Sequence, residues 1–194
     1  SGLTGFMRRA RRVRLVGVLP LSFSLDSIGP LAQSVACCAL LDAVLAGEAP
    51  VTPAPAPLAG KRFWLPRTLA LDGLDDTVAR AFDAACRVLS QAGARLVDLD
   101  VPEFAELAHL NRQGGFTAAE AWWWHADLIA QREAQYDPRV SSRIRRGAAI
   151  TAADYLTLQR ARARWHATLS ARLAGDLVLM PTSPGADPAI APVQ

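Results

Sequence analysis

The chain has 194 residues, of which 51% are hydrophobic and 20% are charged, and its formal net charge is +3. This length and apolar content are enough for the core of one domain, or of a large piece of one. A charge this small does not by itself indicate a nucleic-acid partner. The longest apolar run is too short to span a bilayer and is broken by Asp42, so the sequence predicts no membrane partner.

The cysteines predict a reducing compartment rather than a disulfide framework. Cys37 and Cys38 are adjacent, which is poor geometry for a bond between them, and Cys86 leaves an odd count. We expect all three to be small buried residues. Because no apolar signal core follows the basic N-terminal run, the sequence predicts a cytoplasmic protein.

The N-terminal segment is predicted to lead through a loop into an apolar helix. Gly17 to Leu21 is predicted to be a strand, and a Ser/Asp loop follows it. The helix is predicted to start at Gly29-Pro30 and to include Val35 to Leu45. Upstream lies a dense basic run, which we expect to be a solvated segment because no aromatic residues alternate with the arginines to stack bases: Arg8, Arg9, Arg11, Arg12 and Arg14.

The middle of the chain predicts a strand–helix–strand unit behind a connector. Pro50 to Pro57 is too rich in proline for a helix or a central strand. Lys61 to Pro66 is the first predicted strand, and Asp75 supplies an N-cap for the following helix. Arg95 to Val101 is the second strand. Two strands joined by a crossover helix are expected to be parallel.

The last third of the chain is predicted to be mainly helical. Phe104 to Leu110 and Thr117 to Glu133 are two of the helices. A longer one starts at Thr151, whose hydroxyl forms a capping-box-like pattern with Asp154. Leu177 to Met180 is a final short strand.

Residue spacing identifies neither a nucleophile nor a metal site. The sequence has no G-x-S-x-G elbow and no S-x-x-K motif, so Ser22 and Ser24 are interpreted as loop and cap residues. His125 has no ligand partner three or four residues later, and we predict no metal. Three consecutive tryptophans cover almost a full helix circumference, so at least one faces solvent, a partner or a pocket: Trp122, Trp123 and Trp124.

Three motifs together resemble the amidase signature family of hydrolases: Gly2-Leu3-x-Gly5-Phe6, Ser22-Phe23-Ser24-Leu25-Asp26-x-x-Gly29-Pro30 and Met180-Pro181-Thr182-Ser183-Pro184. The resemblance implies an α/β fold, with α/β/α layers around a mixed, largely parallel twisted sheet. It also implies a hydrolase of amide C–N bonds that needs no cofactor. In that family the catalytic lysine, the cis-peptide serine and the nucleophilic serine lie N-terminal to the Gly-x-x-Gly-Phe segment. The resemblance therefore assigns no catalytic residue here and predicts that this chain alone is inactive.

The resemblance also implies an organisation and a set of site residues. The chain is expected to be one partial domain, with the end of the signature segment and the following helix at 1–48, the connector at 49–60 and the remainder of the core at 61–194. Asp26 and Ser24 are expected to brace the loop that presents the nucleophile. Phe116 and Trp123 are the candidate substrate-binding residues, because the segment after the crossover unit contributes to the substrate wall in such enzymes. Plain core packing is the alternative for both aromatic residues.

Three functions are compatible with these observations. The first is a fragment of an amidase that cleaves amides of small hydrophobic carboxylic acids. The sequence leaves open whether that amidase is a homodimer. The second is a fragment of the A-type subunit of a tRNA-dependent amidotransferase. The third is a degenerate, non-catalytic relic, which the departure of residues 7–16 from the family pattern favours.

Overall fold

The structure is a computed structural model that describes residues 2–7 and 12–185. It divides into two compact units, Ser1–Pro55 with Leu110–Ala161 and Ala56–His109 with Arg162–Gln194. In chain order the described helices and strands are β1 (Thr4–Gly5), β2 (Leu31–Ala32), α1 (Val35–Leu45), β3 (Arg62–Pro66), α2 (Asp76–Gln91), β4 (Arg95–Leu99), α3 (Glu106–Leu110), α4 (Gly115–Arg132), α5 (Pro138–Arg145), α6 (Ala152–Leu173) and β5 (Leu177–Val178).

In the first unit, β1 pairs antiparallel with β2 before α1 begins. Helix α1 therefore starts at Val35 and not at Gly29-Pro30, and the Ser34 hydroxyl caps it by accepting from the Cys37 amide at 3.1 Å. Gly29 is needed where the chain turns into β2, because a Cβ there would lie 2.0 Å from the carbonyl oxygen of Phe6.

The predicted strand from Gly17 to Leu21 does not form. Pro20 has no amide proton to give to a ladder. The amides of Leu21 and Ser22 instead donate to the carboxylate of Asp26 at 3.0 Å. With those donors satisfied within the loop, the segment turns and bends.

The core of the first unit lies between α4 and α5. Ala121, Ile129 and Ile144 are its buried members, with Trp122 and Tyr136 packed against them. A 3₁₀ turn at Arg146–Ala149 follows α5 and lies directly against α4. A Cβ at Gly147 would lie 2.0 Å from the carbonyl oxygen of Ala118, so only glycine fits this contact.

The second unit contains a three-stranded sheet with the order β4-β3-β5 among the described residues. Both pairings are parallel, and that of β3 with β4 confirms the prediction from the strand–helix–strand pattern. Asp75 caps the crossover helix α2 by accepting from the Val78 amide at 2.7 Å. None of the residues of α2 is fully buried.

Two expectations about single residues are wrong. Cys37 is exposed, while Cys38 is buried and Cys86 is half-buried, and all three are free thiols. Arg12 is not simply solvated, because its guanidinium contacts Asp42 at 3.4 Å and also pairs with Glu48. The neighbouring Arg8, Arg9 and Arg11 lie outside the described residues. No helix in the described part of the chain is long and apolar enough to cross a membrane.

Candidate active-site loop and cleft

The Ser22–Asp26 loop is closed by the side chain of its last residue. The Asp26 carboxylate accepts the amides of Leu21 and Ser22 at 3.0 Å. The amides of Leu25 and Asp26 in turn donate to the carbonyl oxygen of Ser22 at 2.9 and 2.7 Å. Asp26 thus holds a tight turn through local side-chain-to-backbone bonds.

Glu120 of α4 joins this loop to the helix. Its Oε2 accepts the Ser22 hydroxyl at 2.7 Å and the Ser24 amide at 2.9 Å. Its Oε1 accepts the Ser24 hydroxyl at 2.5 Å and the Tyr155 hydroxyl at 2.6 Å. Only 5% of Glu120 is exposed, so these bonds form away from solvent.

Four donors fill the acceptor positions of the Glu120 carboxylate. Burial alone would raise its pKa, but the bonds from Ser24, Tyr155 and Ser22 together hold the pKa below its ordinary value. Glu120 is therefore ionised at neutral pH and has no free position at which to accept a proton from a substrate. We interpret it as a structural carboxylate and not as a general base.

Tyr155, on the first turn of α6, completes this network as a donor. Burial raises the pKa of its phenol, and the hydrogen bond to Glu120 raises it further. Tyr155 is therefore protonated at neutral pH, as the bond to Glu120 requires. Ser22 is only 2% exposed, which puts its hydroxyl out of reach of a substrate.

A cleft of about 750 Å³ opens beside this network. Glu120 is the one ionised side chain among the described residues that line it. The rest of the wall is formed by small, aromatic and hydroxyl-bearing residues: Phe23, Ala119, Trp122, Trp123, Ala126, Gly147, Ile150, Thr151, Ala152 and Tyr155. Such a mainly apolar cleft is typical of small-molecule sites.

The structure places the sequence-predicted site residues around this cleft in different ways. Trp123 is 71% exposed among the described residues and lines the cleft. Phe116 is half-buried and lies outside the wall, edge-on to the ring of Tyr155 at 5.6 Å. Ser24 and Asp26 belong to the bonded loop. The role of all four in catalysis or substrate binding stays a prediction.

Sequence reasoning missed Glu120 and Tyr155. The partners of Glu120 on the loop lie 98 and 96 residues away in the chain, and no local pattern connects them. One signal was present, because Glu120 stands between alanines and a run of tryptophans in the first half of α4. A charged residue in such surroundings is rarely buried without partners.

Comparison with known proteins assigns the class. The family model for Amidase matches residues 1–194, and the chain belongs to this family. It is 32% identical over 197 residues to the 2-amino-5-chloromuconic acid deaminase of Comamonas testosteroni, a match that covers 100% of this chain and 42% of that protein. It is 30% identical to the A-type subunit of the glutamyl-tRNA(Gln) amidotransferase of Chloroflexus aggregans, over 94% of this chain and 45% of that protein.

A crystal structure of an amidase has the same fold. The two align with a TM-score of 0.81 and 28% sequence identity, over 94% of this chain and 41% of the other. This likeness confirms the predicted α/β fold as part of an amidase fold. The chain thus spans roughly two fifths of the length of the relatives that it matches.

Proposed function

We propose that this chain is part of a hydrolase that cleaves amide C–N bonds of small hydrophobic carboxylic acids. Membership of the Amidase family supports the reaction class. The observation that carries the substrate class is the cleft, whose wall is mainly apolar and contains Trp123. The likeness to the amidase crystal structure supports the same proposal.

The proposed mechanism uses a lysine, a cis-peptide serine and a nucleophilic serine that lie outside this chain. The serine attacks the amide carbonyl and releases the amine, and water then hydrolyses the acyl-enzyme. This chain contributes the Ser22–Asp26 loop beside the nucleophile and the wall of the substrate pocket. Asp26 and Ser24 would keep that loop rigid, which matters because a small displacement of reacting groups slows a reaction strongly.

The test uses the longest form that the coding sequence encodes, called the full-length protein below. We expect it to release ammonia from phenylacetamide and benzamide faster than from acetamide. Asp26→Asn should lower kcat roughly tenfold to a hundredfold by loosening the loop. Asp72→Asn is the matched control, because the Asp72 carboxylate likewise closes a local turn, at the exposed amide of Leu69, and is not part of the Ser22–Asp26 loop. Absence of turnover for every amide would contradict the proposal.

The similarity to the A-type chain of an amidotransferase supports a second candidate. In that case the substrate is glutamine, and activity depends on partner subunits. The full-length protein alone would then hydrolyse no hydrophobic amide, and ammonia release from glutamine would appear only with its partners. The apolar wall of the cleft favours the first candidate, because its described residues include no cationic side chain that pairs with the carboxylate of glutamine.

A further inference from the structure

Phe23 is an exposed aromatic residue in a fixed position. The residues on both sides of it, Ser22 and Ser24, are bound to Glu120 through their hydroxyl groups and the Ser24 amide. The Phe23 side chain is nevertheless 50% exposed and lines the cleft. An aromatic ring that is held in the cleft wall and remains half exposed is available to contact a ligand.

Trp123 faces Phe23 from helix α4. Their ring centroids lie 5.2 Å apart, and the ring planes meet at 78°. Trp123 follows Glu120 by three residues and so lies on the same face of the helix. Helix α4 thus carries both Glu120, which holds the loop, and the Trp123 ring.

The charge and shape of the cleft restrict what fits beside these rings. The ionised Glu120 carboxylate lines the cleft, and the described lining residues include no lysine, arginine or histidine. An anionic ligand is disfavoured there because nothing in the described wall offsets its desolvation. Ala119, Ala126 and Gly147 are the small residues of the wall and leave room between the larger side chains.

We propose that Phe23 and Trp123 form an aromatic clamp that binds one uncharged planar group of the substrate, with Glu120 as the positioning residue that holds Phe23 in place. This inference rests on the proposed amide hydrolase and names its substrate class. Because the two rings are nearly perpendicular, a planar group that stacks on one ring presents its edge to the face of the other, and aromatic rings favour both arrangements.

The test measures binding to the full-length protein by titration calorimetry with three probes that the enzyme cannot hydrolyse. Methyl 2-naphthyl ketone is planar and neutral, cyclohexyl methyl ketone is neutral but not planar, and 2-naphthoate is planar and charged. We expect the naphthyl ketone to bind about tenfold more tightly than either of the others.

Substitutions in the clamp should abolish this preference. Phe23→Leu and Trp123→Leu are expected to reduce the ratio of the two ketone affinities to about one, since a leucine offers no ring face. Leu25→Ala and Trp124→Leu are the matched controls. Both residues are exposed on the same loop or helix and lie outside the cleft wall, so these variants should keep the full ratio.

Glu120→Gln tests the positioning role. If Glu120 only stabilised the fold, its loss would weaken the binding of the two neutral ketones equally. If it positions Phe23, the affinity for the naphthyl ketone should fall while that for the cyclohexyl ketone stays, so the ratio falls toward that of Phe23→Leu.

Several results would overturn the clamp. These are a failure of every probe to bind, equal affinities for the two ketones in the unaltered protein, tight binding of 2-naphthoate, or loss of the preference in Leu25→Ala as well. The proposed function is tested separately by amide turnover. Turnover without a ketone preference contradicts only the clamp, and a preference without turnover contradicts only the hydrolase.

Discussion

Ser24 and Glu120 lie 96 residues apart in the chain, and two hydrogen bonds join them, one from the serine amide and one from its hydroxyl. These bonds hold the Ser22–Asp26 loop against helix α4, although the two segments are far apart in the sequence. Because the carboxylate also accepts Ser22 and Tyr155, its removal affects three segments at once.

The first prediction concerns this carboxylate. Glu120→Ala in the full-length protein should lower the free energy of unfolding by about 3 kcal/mol, because buried donors lose a charged acceptor. Denaturant unfolding measures the change. Glu106→Gln is the control, since Glu106 pairs with Arg164 at the exposed surface and should cost less than about 1 kcal/mol. Equal effects of the two substitutions would contradict the structural role of Glu120.

The lowered pKa of Glu120 predicts a pH dependence. A carboxyl group with a folded-state pKa below its unfolded value stabilises the fold fully above the unfolded value. For Glu120, this contribution should be complete above its ordinary value of 4.5 and should be lost as the pH falls through the lower folded pKa. The difference in unfolding free energy between the unaltered protein and Glu120→Gln should therefore shrink on acidification. A difference that grows at low pH would contradict the assignment.

Local signals in the sequence were reliable where they described contacts between neighbours. The N-cap of α2 at Asp75 and the parallel pairing of β3 with β4 were both predicted, because a cap and a crossover are short-range features. The wrong prediction of a strand at Gly17 to Leu21 also involves a local contact, but one that the apolar pattern does not reveal. The apolar residues suggested a strand, but the Asp26 carboxylate took the amides that a ladder needs.

The candidate site was only partly predictable. Asp26 and Trp123 were identified from a motif and from a run of tryptophans, whereas Glu120 and Tyr155 were not. Glu120 and Tyr155 bind residues that are far away in the sequence, so their place in the network depends on tertiary contacts that residue spacing does not reveal.

Helix α6 supplies another prediction. Thr151 and Asp154 form a reciprocal capping box, in which the Asp154 amide donates to the Thr151 hydroxyl at 3.1 Å and the Thr151 amide donates to the Asp154 carboxylate at 3.0 Å. Thr151→Ala should cost about 1 kcal/mol of stability in the full-length protein. Ser170→Ala, in the last turns of the same helix, should leave stability nearly unchanged in the same unfolding experiment.

The 194-residue chain by itself should hydrolyse no amide. The Ser22 and Ser24 hydroxyls donate to Glu120, whose lowered pKa makes it a poor base for activating either one as a nucleophile. The purified chain should release no 4-nitroaniline from 4-nitroacetanilide above the rate in buffer. Turnover that survives repeated purification would contradict this expectation.

The isolated chain should also fold poorly. Val16, Leu19 and Leu31 are 90%, 70% and 72% exposed, and α2 has no fully buried residue. Exposed apolar surface on this scale favours association or a loosely packed state. We expect the chain to bind a hydrophobic dye and to show a broad thermal transition while its helical circular dichroism persists. A sharp, reversible transition of a monomer would count against this prediction.

The hydroxyl groups of Ser24 and Tyr155 lie 3.4 Å apart although 131 residues separate them in the chain. During synthesis, the loop at Ser24 leaves the ribosome long before the helix that carries Tyr155 has been made. The cleft can therefore form only when the first residues of α6 have emerged, because Thr151, Ala152 and Tyr155 are part of its wall. The loop can reach its bonded arrangement only after two later helices have been made, α4 with Glu120 and α6 with Tyr155.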